Sequence, residues 1–148
     1  DKLPAEWKEK IIVINNGNTT EQSGISISAI PMYNLPNDST AKHPKGRGNG
    51  YILSLGDKKF YISGDTEDIP EMLSLKDIDV AFVCMNLPYT MSVEQAASAV
   101  LAFKPKIVYP YHYRTPTGFS EIKEFKALVN KENTSIDVRI KDWYVGTK

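Results

Sequence analysis

One cysteine and two histidines among 148 residues leave this chain few groups for thiol or imidazole chemistry. Cys84 alone cannot close an internal disulfide, and its place inside an apolar run fits a reducing compartment, so a cytoplasmic location is expected. Neither sign of charge is in excess. The 18 basic residues offset the 18 acidic ones, which removes the overall field that holds nucleic acid or an anionic membrane. Nucleic acid is not an expected partner. No apolar run approaches the roughly 18 residues that span a bilayer, and the opening residues carry no signal-peptide pattern, so no transmembrane segment is expected either.

What is present is a set of short β-branched and aromatic runs. Two of them end in a metal-compatible side chain: Phe60-Tyr61-Ile62-Ser63 leads through Gly64 to Asp65, and Ile107-Val108-Tyr109-Pro110-Tyr111 leads to His112. Both runs read as buried strands. If they lie parallel in one sheet, their carboxyl ends open onto one edge, and an acid and an imidazole distant in sequence face the same ligand. A carboxylate oxygen and a neutral imidazole nitrogen suit a divalent ion such as zinc.

The spacing favours that parallel arrangement. A helical turn at residues 70–75, a strand at 78–85 and a helix from Ser92 lie between the two runs. Ser92 with Gln95 forms a capping-box pattern, and Val93, Ala96, Ala97, Val100 and Leu101 make an apolar stripe. Pro105 stops the helix, and the following strand completes a crossover whose handedness favours parallel pairing. Ser120 is the expected cap of a last helix with Ile122, Phe125, Leu128 and Val129 on its buried side, followed by a strand at 136–140. The first third reads as strands at 11–14, 25–30, 51–55 and 59–63, with Gly56-Asp57 as a tight turn. The expectation is an α/β (α+β) domain, an antiparallel meander feeding a mixed sheet with helices against one face.

Residues 34–50 form a long polar loop with His43, Lys45, Arg47 and alternating Gly46, Gly48 and Gly50. Loops of this length are uncommon unless functional or mobile. The glycines lack the spacing of a phosphate cradle and precede a strand, which leaves Lys45 or Arg47 as contacts for an anionic group of a small-molecule substrate. Tyr33, Tyr89 and Arg114 are further candidates to line a substrate pocket.

Taken in order, Pro31-Met32-Tyr33-Asn34, His43-Pro44-Lys45-Gly46-Arg47-Gly48, Gly64-Asp65-Thr66, Pro88-Tyr89-Thr90-Met91 and Tyr111-His112-Tyr113 resemble the second half of a metallo-β-lactamase-fold metal-dependent hydrolase. The similarity is to the branch that includes sugar-phosphate lactonases and the N-acyl-phosphatidylethanolamine phospholipase. It implies the carboxyl-terminal half of an αββα sandwich with one or two divalent ions, zinc foremost and manganese next, between the sheet edges. It implies Asp65 bridging two ions, His112 on the second, and His43 as a third ligand in place of the histidine that related enzymes carry at the position of Asn34. Substrate contacts fall to Arg114, Tyr89 and Arg47, and hydrolysis of an ester, lactone or phosphodiester is the implied reaction. The family's HxHxDH loop is not in this sequence, so residues 1–148 read as the second half of a longer domain, inactive alone, that associates with its amino-terminal half or pairs with another copy. A non-catalytic, metal-free binding or oligomerisation domain of the same fold is the other reading. A phosphate-accepting receiver domain fits poorly, because Asn15-Asn16-Gly17 stands where acidic residues would hold magnesium.

Overall fold

Turn chemistry builds the first half of the molecule. In the computed structural model, which describes residues 4–146, strands β1 (Thr19–Gln22) and β2 (Ile25–Met32) join across Ser23 and Gly24, both at positive φ (52° and 77°). That backbone matches the twist of paired strands in a two-residue hairpin. β2 pairs antiparallel with β3 (Gly48–Leu55), which turns through Gly56-Asp57 into β4 (Lys58–Ile62) with Leu55 opposite Lys58. The hairpin expected at Gly56-Asp57 is therefore present.

Beyond β4 the chain changes mode. Helix α1 (Pro70–Leu73) leads to β5 (Val80–Cys84), and α2 (Val93–Phe103) leads to β6 (Ile107–Tyr111). A small hairpin, β7 (Arg114–Thr115) with β8 (Gly118–Phe119), precedes α3 (Ile122–Glu132) and β9 (Asp137–Val138). β5 is parallel to β4, β6 to β5 and β9 to β6, completing a seven-stranded mixed sheet in the order β1-β2-β3-β4-β5-β6-β9. Ser92 caps α2 as its sequence requires: Gln95 N donates to Ser92 Oγ at 3.1 Å, and Ser92 N donates to Gln95 Oε1 at 3.0 Å. Lys104, left-handed at φ 49°, ends the helix one residue before Pro105.

The register sorts the sheet into two unlike faces. Ile52, Tyr61, Ala81, Val108 and Val138 are successive cross-strand neighbours, and they pack with Ala96, Val100 and Phe103 of α2 and Phe125 and Val129 of α3 in one core. On the opposite face the row is Tyr51, Ile62, Phe82 and Tyr109. These side chains are only half-buried. Phe82 stacks on Tyr109 at 5.3 Å, and Trp143 meets Phe82 edge-on at 6.4 Å, so an aromatic layer lines the face away from the helix core.

Three expectations need correction, and the edge strand of the sheet was not expected. Residues 11–14 form no strand: Ile11, extended at the end of a 3-10 turn at Ala5–Lys10, and Ile12 and Val13 after it are exposed and belong to no regular element. Their β-branched side chains favour extension, but extension without a ladder partner is not a strand. Strand β1, unforeseen, lies at the sheet edge, where the exposed run Thr-Thr-Glu-Gln carries no apolar alternation to reveal it. Ser120 does not cap α3. Its hydroxyl donates to Met85 O at 2.6 Å, and Glu121 occupies the cap position without a side-chain bond. The last strand is two residues, Asp137–Val138, rather than residues 136–140. Among the described residues, no helix is long and apolar enough to cross a membrane.

Candidate metal centre

Three parallel strands end side by side. β4 runs out at Ile62 and Ser63, β5 at Cys84 and β6 at Tyr111, and the residues just beyond are Asp65, Asn86 and His112. At the first of these ends the chain needs glycine. Gly64 has φ 66°, and a Cβ there would stand 2.8 Å from Asn49 O and 3.2 Å from Met32 Sδ. At the third, His112 itself adopts φ 46°, a left-handed conformation that costs a side-chain-bearing residue about 1–2 kcal/mol. Such strain concentrates at functional sites.

His43 reaches the same edge from the 34–50 loop. Its Nε2 lies 3.6 Å from Asp65 Oδ2, while His112 Nε2 lies 3.4 Å from Asp65 Oδ1. Two ligands on one tetrahedral ion, with bonds of about 2.1 Å, stand about 3.4 Å apart. Each imidazole–carboxylate pair therefore has the spacing of two ligands around a shared ion. The tautomer agrees. His43 Nδ1 is 3.1 Å from Tyr89 O, and because a carbonyl only accepts, Nδ1 carries the hydrogen, so that in the neutral form of the ring it is the Nε2 lone pair that faces Asp65. A lone pair facing a carboxylate is repulsive until a proton or cation lies between them. Orientation of one ring nitrogen by a backbone carbonyl is the support that metal-ligating histidines use.

The set is partial. Among the described residues, no three His, Cys, Asp or Glu side chains make a complete metal-holding group. His112 Nε2 is also 3.4 Å from Asn86 Nδ2, and the buried Asn86 Oδ1 has no hydrogen-bond partner among the described residues. Asp65 and His112 open onto a cavity of about 630 Å³ whose other walls are Ile62, Phe82, Tyr111, Trp143 and Tyr144. Burial pushes the Tyr111 phenol up to about 12, so it stays protonated, with its hydroxyl 3.4 Å from Gly64 O.

The remaining candidates are placed differently. Arg47 Nη1 donates to Lys42 O at 3.1 Å within its own loop, and Arg114 is exposed on β7. Tyr89 is 40% exposed and contributes its carbonyl rather than its ring to His43. None of the three lines the cavity beside Asp65 and His112. Lys45 is an anchor: its Nζ donates to Glu71 Oε1 at 2.7 Å and sits 4.7 Å above the Tyr33 ring, whose hydroxyl donates to Glu71 Oε2 at 2.9 Å. Burial alone would raise the Glu71 carboxyl, but the bonds from Lys45, its own backbone and Tyr33 outweigh it and hold the group below its ordinary value. Gly50 lets β3 pass close to Ser63, where a Cβ would come within 2.8 Å of Ser63 O, which accounts for that glycine by packing. Sequence reading missed Asn86. The strand-end rule that singled out Asp65 and His112 applies equally to it.

A strand-end carboxylate between two imidazoles, on a mixed sheet backed by helices, defines an α/β protein with a cation-compatible edge. Residues 2–112 match the family model of the beta-lactamase superfamily domain, and the chain belongs to that family. Among curated relatives it is 34% identical over 132 residues to a UPF0173 metal-dependent hydrolase of Pyrococcus horikoshii, covering 86% of this chain and 58% of that protein. A Thermoplasma acidophilum protein of the same name is 33% identical, over 84% of this chain and 56% of the relative. The chain thus spans somewhat more than half the length of these relatives. Among solved structures, a protein of Parabacteroides distasonis assigned as a metal-dependent hydrolase superposes with a TM-score of 0.78 at 46% identity, over 93% of this chain and 62% of that one. The metallo hydrolase Igni18 of Ignicoccus hospitalis superposes with a TM-score of 0.72 at 26% identity, over 88% and 57%. The metallo-β-lactamase fold expected from the motifs is the fold observed.

Proposed function

We propose that this chain supplies one side of the metal centre of a metal-dependent hydrolase acting on an ester, lactone or phosphodiester. The observation that carries the reading is the approach of His43 Nε2 and His112 Nε2 to opposite oxygens of Asp65 at 3.6 and 3.4 Å. With one imidazole beside each carboxylate oxygen, Asp65, His43 and His112 would be the residues of this chain that hold the ion or ions. Nitrogen and carboxylate donors in this number suit zinc, with manganese as the next candidate. A bound ion of this kind acidifies water to near neutral pH and polarises the bond under attack. The residues of this chain do the rest: the Tyr89 carbonyl orients His43, the left-handed backbone aims His112, and Phe82, Tyr111 and Trp143 form the apolar wall of the cavity onto which Asp65 opens. Arg47 and Arg114, which follow His43 and His112 closely in sequence, and Tyr89, whose carbonyl meets His43 Nδ1, are the proposed contacts for a substrate anion in the assembled protein.

The remaining ligands and the proton-handling acid come, in this reading, from the part of the relatives that this chain does not cover. That part also covers the half-buried face of Ile62, Phe82 and Tyr109, and the segment 1–148 is inactive without it. A lone, buried Cys84 fits a reducing, cytoplasmic setting. Metal content by elemental analysis tests the assignment in the full-length protein. Asp65→Ala and His112→Ala should each lose bound metal and hydrolysis together with an unchanged circular dichroism spectrum, whereas full metal retention in both variants removes the site. A wild-type protein that binds no divalent ion leaves the fold as a binding or oligomerisation domain.

A further inference from the structure

Asn34 stands at the position to which the family resemblance assigns a ligand histidine, yet its side chain is buried and every polar atom of it is committed elsewhere. Residue 34 is only 5% exposed. Its Oδ1 accepts from the His43 backbone N at 2.7 Å, and the Asn34 backbone N donates to His43 O at 2.9 Å. The side-chain Nδ2 donates to Tyr89 O at 2.8 Å and to Glu67 Oε1 at 3.0 Å. Tyr89 O is the same carbonyl that receives His43 Nδ1. One amide therefore grips the backbone of His43 on one side and the hydrogen-bond acceptor of its ring on the other. Glu67 holds the amide from behind, and its second oxygen accepts from Leu35 N at 3.2 Å. Tyr89 O is held in turn by a tight turn in which Tyr89 N and Thr90 N donate to Asn86 O at 2.8 and 2.9 Å, and the side chain of that same Asn86 meets His112.

We infer that Asn34 is a positioning residue that sets the tautomer and aim of His43, clamping the 34–50 loop to the Asn86–Thr90 turn so that Nε2 faces Asp65. The chemistry requires an amide. Only a group that accepts at one atom and donates twice at another can serve His43 N, Tyr89 O and Glu67 together. Aspartate keeps the acceptor but loses both donors and faces the Glu67 carboxylate, and alanine loses everything. The inference rests on the metal-site reading for its consequence, but not for its geometry.

Both can be read on one protein. Histidine ring nitrogen shifts, measured by NMR in the full-length protein after metal is stripped with a chelator, report the His43 tautomer directly. Zn²⁺ affinity is then measured by competition with a chromophoric chelator. Asn34→Ala should lose the single Nδ1–H form of His43 while the His112 ring signals stay in place, and Zn²⁺ should bind about 10- to 100-fold more weakly, the range typical of outer-shell partners of metal ligands. Should the alanine variant not fold, Asn34→Asp serves instead, and the same loss of the Nδ1–H form is expected. Tyr89→Ala, which keeps the carbonyl, should leave the tautomer unchanged. An Asn34 variant that folds and retains both the Nδ1–H tautomer and wild-type Zn²⁺ affinity overturns the inference even if the metal site is real. A wild-type protein that takes up no Zn²⁺, but whose His43 tautomer shifts on Asn34→Ala, upholds the positioning role and removes the metal reading.

Discussion

His112 is a residue whose backbone and side chain want different things. Its φ of 46° suits glycine, while its position beside Asp65 calls for imidazole. The two demands can be separated by substitution. His112→Gly relieves the left-handed strain and His112→Ala does not, so in metal-free protein the glycine variant should be about 1 kcal/mol more stable than the alanine variant by urea denaturation. Equal stabilities would mean that the conformation relaxes when the ring is gone. Both variants lose the imidazole, so any stability difference between them reports the backbone alone.

At the scale of elements, the parallel strands depend on one acid outside the site. Asp79, just before β5, takes Lys106 Nζ on Oδ1 at 2.7 Å and Lys59 N on Oδ2 at 2.9 Å, joining the starts of β4, β5 and β6. The Lys106 bond, followed by the Lys59 amide, holds the Asp79 carboxyl below its ordinary value. A carboxyl depressed on folding contributes stability above its unfolded pKa, and that contribution is lost as pH falls through the folded value. Asp79→Asn should therefore melt lower than wild type near pH 7, and its melting temperature should fall less than the wild type's on acidification below about pH 4. Parallel acid profiles for the two proteins would show that Asp79 carries no net linkage. The tie matters to the site because it sets the stagger of the strands whose far ends carry Asp65, Asn86 and His112.

For the whole molecule the two sheet faces set the expectation. One is closed by α1, α2 and α3 around fully buried Tyr61, Val83, Val100 and Phe125. The other presents Ile62, Phe82 and Tyr109 half-buried, with Trp143 still 47% exposed. Open apolar faces are characteristic of interaction surfaces, which is the role proposed for this one. With Trp7→Phe as background, Trp143 emission should lie at longer wavelength in the segment 1–148 than in the full-length protein, where the uncovered part of the relatives' length is proposed to pack on this face. Identical emission in both would place that part elsewhere. A blue shift of the segment's emission with rising concentration would instead identify a second copy as the cover.

By itself the sequence determined whatever depends on neighbours a few residues apart. The Ser92-Gln95 capping box, the Pro105 stop, the Gly56-Asp57 turn and the alternation of strands with helices are local, and each is where its residues placed it. The parallel strands then bring Asp65 and His112 to one edge, because right-handed crossovers leave little choice. Tertiary structure decided what depends on partners far along the chain. The aliphatic run at 11–14 has the composition of a strand, but a strand needs a ladder, and edge strand β1 acquires one from β2 with no apolar pattern of its own. Ser120 is a good cap by type and yet donates to Met85 O, 35 positions away in sequence. Asn34 entered the sequence reading only as the residue that occupies a ligand histidine's place. Only the fold brings Tyr89, Glu67 and His43 around it, because a side-chain amide takes its role from whichever donors and acceptors the packed chain sets within about 3 Å of it.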